Sequence, residues 1–230
     1  MRAKDIMTTD VVTITPEASV EEIARLLLAR GISGVPVIGT EGALVGLVSE
    51  GDLIRREGDS EHHRSWWLNL FAGPEAQARD YIKVHGRRAE EVMTREVITV
   101  GEETPVGEIA RLLEKRRIKR VPVVRDGRIV GIVSRANLLH GLATHKDRLG
   151  ITPSPDERTI REEVLALVKR EGWITHGSLN VMVAGGVVEL WGWVDSEDER
   201  KALLIAVEEI DGVEAVNDHL GSLPPSMRGI

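Results

Sequence analysis

The sequence predicts a mixed α/β and α+β fold, with two β-α-β-β-α repeats that form a pseudo-twofold module and a small α-β-β-α-β domain after them. The main observation is an internal repeat: residues 5–38 match residues 91–124 with 17 identities in 34 positions, and residues 42–54 match residues 127–139 with 6 in 13. Both copies show the same order of apolar patterns, and a proline-containing break precedes residue 156. Only two copies occur, which indicates a pair of packed units rather than a solenoid.

The composition argues against several classes of function. The 230 residues contain no cysteine, which removes disulfides, thiolate nucleophiles and cysteine metal sites. The net charge of −7 argues against bulk nucleic-acid binding, and the excess of acid in residues 145–230 disfavours anionic membranes. No segment is apolar enough to cross a bilayer, and the first residues lack the apolar core of a signal peptide. We therefore expect a cytoplasmic protein that binds neither nucleic acid nor membranes.

Each repeat contains the same elements in the same order. A short β-rich run, residues 11–14 or 97–100, precedes an amphipathic helix whose apolar residues recur at i, i+3 and i+7. In the first copy these residues are Val20, Ile23 and Leu27. Two strands then flank a glycine turn, and a Ser-x-x-Asp or Ser-x-x-Asn sequence after the second strand opens another helix.

Three motifs recur in the same order in the two copies. They are Asp5-Ile6-Met7-Thr8, Val35-Pro36-Val37 and Gly46-Leu47-Val48-Ser49-Glu50-Gly51-Asp52-Leu53, repeated as Glu91-Val92-Met93-Thr94, Val121-Pro122-Val123 and Gly131-Ile132-Val133-Ser134-Arg135-Ala136-Asn137-Leu138. With these motifs the sequence resembles a tandem pair of CBS domains, a Bateman module, over residues 1–58 and 88–144, with a helical insert at 59–87. The resemblance implies a regulatory module that binds adenosine-containing ligands in the cleft between the copies and commonly forms a homodimer.

The Ser49-x-x-Asp52 sequence stands where a strand ends and a helix begins. A helix N-terminus offers N–H groups and partial positive charge to a phosphate, and a carboxylate beside it can accept two hydrogen bonds from a ribose diol. The Val-Pro-Val segment provides a stiff apolar surface for a flat base. Helix capping requires the same residue types, so the motif alone leaves both interpretations open, and the repeat and the resemblance favour a ligand.

The two copies differ in charge at the candidate site. Asn137 stands in place of Asp52, so the second copy lacks the carboxylate that would bind ribose. We predict a ribose site at Asp52 and a phosphate-binding wall of Lys119, Arg120 and Arg135. The predicted ligand-binding residues are Thr13, Thr15, Gly34, Val35, Pro36, Ser49, Asp52, Thr99, Lys119, Arg120, Val121, Pro122, Ser134, Arg135 and Asn137.

The insert at residues 59–87 carries two adjacent aromatic side chains. Trp66 and Trp67 fit either a local core or an interaction surface, since tryptophan is a common interface anchor. His62 and His63 are also adjacent, but neighbouring histidines do not point together on regular structure and no further ligands stand at a suitable spacing. No metal site is therefore predicted.

The chain after the predicted linker, residues 145–155, follows an α-β-β-α-β pattern. Its residues Gly186-Val187-Val188-Glu189-Leu190-Trp191-Gly192-Trp193-Val194 and Asp211-Gly212-Val213-Glu214-Ala215-Val216-Asn217-Asp218 resemble a BON domain. The resemblance covers residues 156–224 and leaves 225–230 as a tail. It implies a fold more than a function, because the family is associated only broadly with lipid or ligand surfaces.

Strand alternation separates the side chains of residues 187–194 into two faces. Val188, Leu190 and Val194 should meet the helices, and Trp191 and Trp193 should point to the other side. Two tryptophans on one face form an apolar patch, which usually marks an interaction site. We expect an interdomain or dimer contact to cover them.

The leading hypothesis is a non-enzymatic sensor that needs no cofactor. An adenosine-containing ligand (AMP, ADP, ATP or NAD-like) would bind the CBS pair of a homodimer and signal to the BON domain or an unknown partner. The alternative is a BON-based lipid-surface or protein adaptor with the CBS pair as a dimerisation scaffold. An enzyme is disfavoured because the sequence carries neither a phosphate-binding glycine loop nor a recognisable nucleophile motif.

Overall fold

The computed structural model describes residues 1–58, 86–144, 153–171 and 179–222. The chain divides into two units, one of Met1–Val11 with Ile98–Gly229 and the other of Val12–Val97. In chain order the elements are α1 (Ala3–Ile6), α2 (Val20–Ala29), β1 (Gly34–Ile38), β2 (Leu44–Ser49), α3 (Glu50–Gly58), α4 (Ala89–Val92), α5 (Val106–Lys115), β3 (Arg120–Arg125), β4 (Arg128–Ser134), α6 (Arg135–Thr144), α7 (Pro155–Arg170), β5 (Asn180–Ala184), β6 (Val187–Val194), α8 (Glu197–Glu208) and β7 (Ala215–Ser222).

The unit of residues 12–97 is a hairpin with helices on its apolar side. Strands β1 and β2 pair antiparallel. The side chains of Ile23 on α2 and Val35 on β1 pack in one core with Val92 of α4. Helix α4 therefore belongs to the second repeat by sequence and to the core of the first repeat by packing.

The other unit shows the reciprocal arrangement. Ile6 of α1 packs with Ile109 of α5 and Val121 of β3, and strands β3 and β4 pair antiparallel. The short helix at the start of each repeat is thus exchanged between the two halves. Close approach explains a glycine in each hairpin, because a Cβ at Gly131 would collide with the sulfur of Met7.

The β-rich runs at residues 11–14 and 97–100 are shorter in the structure than predicted. Each contributes a single parallel bridge, Ile14 to Val37 and Val100 to Val123. The predicted first strand of each repeat is therefore one bridged residue rather than a strand, and the rest of the β-α-β-β-α order is present.

The C-terminal domain has the predicted α-β-β-α-β order. In its sheet, β6 lies in the centre and pairs antiparallel with β5 and parallel with β7. Val188 and Leu190 of β6 are fully buried with Val164 of α7 and Leu203 of α8. Both helices thus cover the face that strand alternation assigns to the core. Helix α7 begins after Ser154, whose hydroxyl accepts a hydrogen bond from the Glu157 N–H.

Candidate functional site

The first repeat positions Asp52 at the start of α3. Strand β2 ends at Ser49, and the Ser49 N–H and hydroxyl both donate to Asp52 Oδ2, at 2.9 and 2.6 Å. The bond from the Ser49 N–H to the carboxylate is the one found in a capping box, and the two bonds together hold the carboxylate in one orientation beside the helix N-terminus. Asp52 is half-buried.

The predicted residues Gly34, Val35 and Pro36 form the start of β1 next to this cap. Gly34 pairs with Ser49, and a Cβ at Gly34 would lie 3.1 Å from the Val48 carbonyl oxygen. All three predicted residues are buried. The absence of a side chain at Gly34 thus lets β1 lie close to the strand end that carries the cap.

The predicted threonines are exposed and flank the single bridges. Thr13 and Thr15 lie on either side of Ile14, and Thr99 precedes Val100. The Thr15 side chain hydrogen-bonds the Glu17 carboxylate and so lowers the pKa of that carboxyl below its usual value. The structure therefore gives Thr15 a local partner.

The second repeat brings its predicted polar residues together at one end of its hairpin. Arg120 pairs with Ser134 across β3 and β4, and the Arg135 N–H donates to the Lys119 carbonyl oxygen at 3.1 Å. Lys119 and Arg135 are exposed, and Arg120 is half-buried. The neighbouring Val121 and Pro122 are buried, as are their counterparts in β1.

Asn137 occupies the position that corresponds to Asp52, with a different set of bonds. Its Oδ1 accepts hydrogen bonds from the Ser134 N–H and hydroxyl, both at 2.7 Å. Its Nδ2 donates to the Thr8 hydroxyl oxygen at 3.3 Å, and the side chain is only 4% exposed. This amide links α6 to the N-terminal segment that follows α1.

The face of the C-terminal sheet away from α7 and α8 contacts the second repeat. The Trp191 ring is stacked between two histidine rings, with centroids 4.3 Å from His140 of α6 and 3.8 Å from His219 of β7. Trp191 is half-buried, and Trp193 is 43% exposed. Trp66 and Trp67, the other predicted interaction residues, lie outside the described residues.

Two polar residues that the sequence analysis did not single out join the domains. Asn180 Nδ2 donates to the Ile6 carbonyl oxygen at 2.9 Å, and Asn180 Oδ1 lies 3.2 Å from His140 Nδ1. The Arg161 guanidinium donates to the carbonyl oxygens of Val181 and Met7, at 3.0 and 2.8 Å. Burial lowers the pKa of Arg161 to about 10, so the group stays charged at neutral pH.

The sequence signal for these two residues is a polar side chain among apolar neighbours. Asn180 follows Leu179 in an otherwise apolar strand, and Arg161 lies beside Ile160 at the edge of the apolar face of α7. We name the contact formed by His140, Asn180, Arg161 and Trp191 the BON seam.

A cavity of about 370 Å³ lies beside the BON seam and is lined by charged side chains of α1 and α7. Lys4 is paired with Glu103, and Arg158 is paired with Asp5. Across the part of the chain that the structure describes, no group of three or more His, Asp or Glu side chains could hold a metal ion. No helix among these described residues has the length and apolarity that spanning a membrane requires.

Comparisons with known proteins agree with this architecture. The CBS domain model matches residues 3–59 and 89–144, and the BON domain model matches residues 156–221. The Methanocaldococcus jannaschii protein MJ1426 is 32% identical over 154 residues, which cover 62% of this chain and 91% of that protein.

A chloroplast protein and an enzyme also match. CBSX2 of Arabidopsis thaliana is 30% identical over 134 residues, 55% of this chain and 56% of that protein, so the chain spans about half the length of this relative. The crystal structure of CBSX2 in complex with AMP superposes with a TM-score of 0.55 at 29% identity, over 64% of this chain and 99% of that one. Inosine-5'-monophosphate dehydrogenase of Korarchaeum cryptofilum is 30% identical over 163 residues, 67% of this chain but only 29% of the enzyme.

The resemblances found in the sequence are therefore confirmed for both parts of the chain. Two CBS segments and one BON segment follow each other in the predicted order. The chain belongs to the CBS domain family, as a CBS pair with a BON domain at its C-terminal side.

Proposed function

We propose that this chain is a non-enzymatic regulatory protein that binds an adenosine-containing ligand through its CBS pair and passes the change to its BON domain or to a partner. The observation that carries the proposal is the similarity to CBSX2, which was crystallised with AMP and superposes over nearly its whole crystallised chain. The CBS pair is the part of this chain that the plant protein shares.

The chemistry of the first repeat supports a ribose contact. The Ser49 bonds hold the Asp52 carboxylate at the N-terminus of α3, and a carboxylate accepts two hydrogen bonds from adjacent hydroxyls. In the second repeat, Lys119, Arg120 and Arg135 gather at one end of the hairpin. Their positive charges suit the phosphate of a nucleotide.

The BON seam supports a route for the signal. Helix α6 opens with the Ser134 to Asn137 motif and, one turn later, presents His140 to Trp191 of the BON domain. A ligand changes the position of α6 only if it binds one position more tightly than another. A change in the position of α6 would reach the BON domain through the stacking contact between His140 and Trp191.

A thermal-shift screen of AMP, ADP, ATP, NAD and S-adenosylmethionine tests the proposal. A ligand at a hundred times its dissociation constant adds about 2.7 kcal/mol to the stability of the folded state. We expect one or more of these compounds to raise the Tm, and calorimetry to show at least tenfold weaker binding for Asp52→Ala. Asp10→Ala, which removes an exposed aspartate, is the matched control. Unchanged affinity of Asp52→Ala would contradict the assignment of the ribose contact.

Exposed apolar side chains at equivalent positions support a homodimer through the CBS pair. Ile54 of α3 is 67% exposed and Leu139 of α6 is 64% exposed, and the two positions correspond in the repeat. Light scattering after gel filtration should give a dimer mass for the wild type and a monomer mass for the Ile54→Glu, Leu139→Glu double variant. Ile205→Glu, at a 59% exposed position of the BON domain, should leave the dimer intact.

An adaptor function of the BON domain is the second candidate, and the exposure of Trp193 favours it. An exposed tryptophan on a strand can insert into a lipid interface or a partner surface. Co-sedimentation with phosphatidylcholine vesicles, with and without phosphatidylglycerol, tests the lipid form of this function. Binding that is lost in Trp193→Ala, in a protein whose Tm does not respond to nucleotides, would favour the adaptor over the sensor.

A further inference from the structure

We infer that the Ser-x-x-Asn motif of the second repeat is a latch that helps to hold the BON domain, and that the chain binds a single adenosine ligand, through the Asp52 motif of the first repeat. We name the linked contacts of Asn137, Thr8, His140 and Asn180 the α6 latch. The part concerning ligand number rests on the proposed function. The latch itself rests only on contacts within the unit that contains the second repeat and the BON domain.

The amide of Asn137 is already engaged in hydrogen bonds within the protein. Its oxygen accepts two hydrogen bonds from Ser134, which uses both lone pairs of that oxygen, and its nitrogen donates to Thr8. The side chain is 4% exposed. A ribose hydroxyl could reach this oxygen only by replacing bonds that close the start of α6, and a buried group that loses a partner is costly.

Asp52 and Asn137, the equivalent residues of the two repeats, differ in hydrogen-bonding chemistry. A carboxylate has two acceptor oxygens and a full negative charge, whereas an amide has one acceptor oxygen and no charge. Asp52 is also half-buried, whereas Asn137 is buried. The aspartate thus suits a ribose diol, and the asparagine suits a bond to the threonine hydroxyl.

The BON domain fixes the segment that Asn137 contacts. Asn180 donates to the carbonyl oxygen of Ile6, and Arg161 donates to that of Met7, immediately before Thr8. The chain contains one BON domain and two equivalent segments, residues 6–8 and 92–94. Only one of the two segments can be held in this way, so the BON domain makes the repeats unequal.

Helix α6 also contacts the BON domain directly. Because the Asn180 nitrogen donates to Ile6, its oxygen is the acceptor that faces His140 Nδ1, and a hydrogen bond between the two side chains requires the His140 proton on Nδ1. The first repeat has Arg55 at the position of His140. Asn137 and His140 are one helical turn apart, so one helix holds both the N-terminal segment and the BON domain.

Calorimetric titration of the full chain with AMP tests the ligand number. We expect one AMP per chain and at least tenfold weaker binding for Asp52→Asn. Asn137 is among the ligand-binding residues predicted from the sequence, and its bonds to Ser134 and Thr8 reassign it to the latch. Asn137→Ala should therefore bind AMP with an affinity within twofold of wild type. Two AMP per chain, or a tenfold loss in Asn137→Ala, would overturn the inference. If the wild type binds no adenosine compound, the proposed function is wrong, and the latch is then decided by a measurement that needs no ligand.

That measurement is a double-mutant cycle on thermal unfolding, with Asn137→Ala and Asn180→Ala alone and together. If the two residues belong to one latch, each variant lowers the Tm and the double variant loses less than the sum of the two losses. Strictly additive losses would show that no latch exists. If Asn137→Ala does not fold, Thr8→Val removes the same contact from the other side and takes its place in the cycle.

Discussion

Arg161 is a charged side chain at a buried position, and its contacts explain how the protein tolerates it. The residue is 9% exposed, and its guanidinium donates to two backbone carbonyl oxygens, one on β5 and one in the N-terminal segment. Asp5 adds a favourable charge interaction. A planar group with several donors can satisfy two carbonyls at once, which a lysine cannot do in the same geometry.

Replacing Arg161 by Met should destabilise the protein by roughly 2–4 kcal/mol, because two buried carbonyl groups lose their partners. Urea unfolding followed by circular dichroism measures this loss. Arg170→Met removes an arginine of the same helix that is exposed and paired with Glu171, so it should change stability by less than about 0.5 kcal/mol. Equal losses in the two variants would show that the carbonyl bonds contribute little.

At the residue scale, the sequence predicts contacts between near neighbours better than contacts between distant ones. The pairing of Ser49 with Asp52 is readable because it spans three residues and recurs in the second copy. The partners of Arg161 and Asn180 are carbonyl oxygens 154 and 174 residues away in the chain. Any residue type supplies a carbonyl, so no side-chain pattern identifies these partners.

At the element scale, the helix ends of the two repeats show how the same geometry is built from different residues. Gly31 lies two residues after the end of α2 and has φ 58°, and the N–H groups of Gly31 and Ile32 donate to the carbonyls of Leu28 and Leu27. This is a Schellman motif. Helix α5 ends with the same pair of bonds, but Arg117 takes the left-handed conformation, at φ 54°.

The Arg117→Gly substitution should therefore stabilise the protein by about 0.5–1 kcal/mol, because glycine adopts positive φ without the steric cost of a Cβ. Thermal unfolding should show a higher Tm. Gly31→Ala, the reciprocal change in the first repeat, should lower the Tm by introducing that cost. A lower Tm for Arg117→Gly would mean that contacts of the arginine side chain stabilise the protein by more than the positive φ destabilises it.

The BON seam should weaken in acid because of His140. Burial lowers the pKa of His140 below its ordinary value, and the charge of His219 lowers it further, although the bond to Asn180 acts in the opposite direction. His219 itself lies against Glu189. Because the folded pKa is below the unfolded value of about 6.5, protonation favours the unfolded state. The stabilisation is complete above a pH of about 6.5 and is lost as the pH falls through the folded pKa.

The measurement is the difference in Tm between pH 7.5 and pH 5 for the wild type and for His140→Gln. Glutamine does not titrate, so the variant should lose less Tm on acidification than the wild type. The same difference in both proteins would show that His140 does not make the stability depend on pH. Tryptophan fluorescence at the two pH values reports in parallel on the environment of Trp191.

The sequence predicts the elements that have their own apolar periodicity and turn residues. It does not predict the length of the runs whose strand pairing depends on tertiary contacts. The hairpins and the five elements of the BON domain follow from apolar periodicity and turn residues. The runs at residues 11–14 and 97–100 have strand composition, but the structure pairs only one residue of each with the hairpin. Strand propensity therefore overestimated their length.

At the scale of the whole molecule, the core of each CBS repeat is completed by the short helix that begins the other repeat. Ile6 of α1 lies in the core that contains Ile109, and Val92 of α4 lies in the core that contains Ile23. The repeat boundaries in the sequence and the packing units in the structure thus differ by one helix each. Nothing in the local sequence of α1 or α4 indicates which core it enters.

Because α1 and α4 each pack in the core of the other repeat, a substitution in either helix should destabilise that other repeat. Ile6→Ala should destabilise the protein by about 2–5 kcal/mol and increase hydrogen exchange mainly in residues 98–144. Val92→Ala removes the corresponding side chain of α4 and should increase exchange mainly in residues 12–58. Hydrogen exchange measured by mass spectrometry distinguishes the two patterns. If Ile6→Ala instead increased hydrogen exchange mainly in residues 12–58, this result would contradict the packing of α1 in the core of the second repeat.

The packing of α1 and α4 in each other's repeats also constrains the order in which this chain can fold on the ribosome. Residues 1–11 emerge before the rest of the CBS pair, but the apolar partners of α1 are translated only after residue 98. The hairpin at residues 34–49 is likewise incomplete until α4 has left the exit tunnel. Neither core can form until the second repeat has begun to emerge. A truncated protein that ends between the repeats would therefore expose the apolar residues of α1, because their partners in the core would be missing.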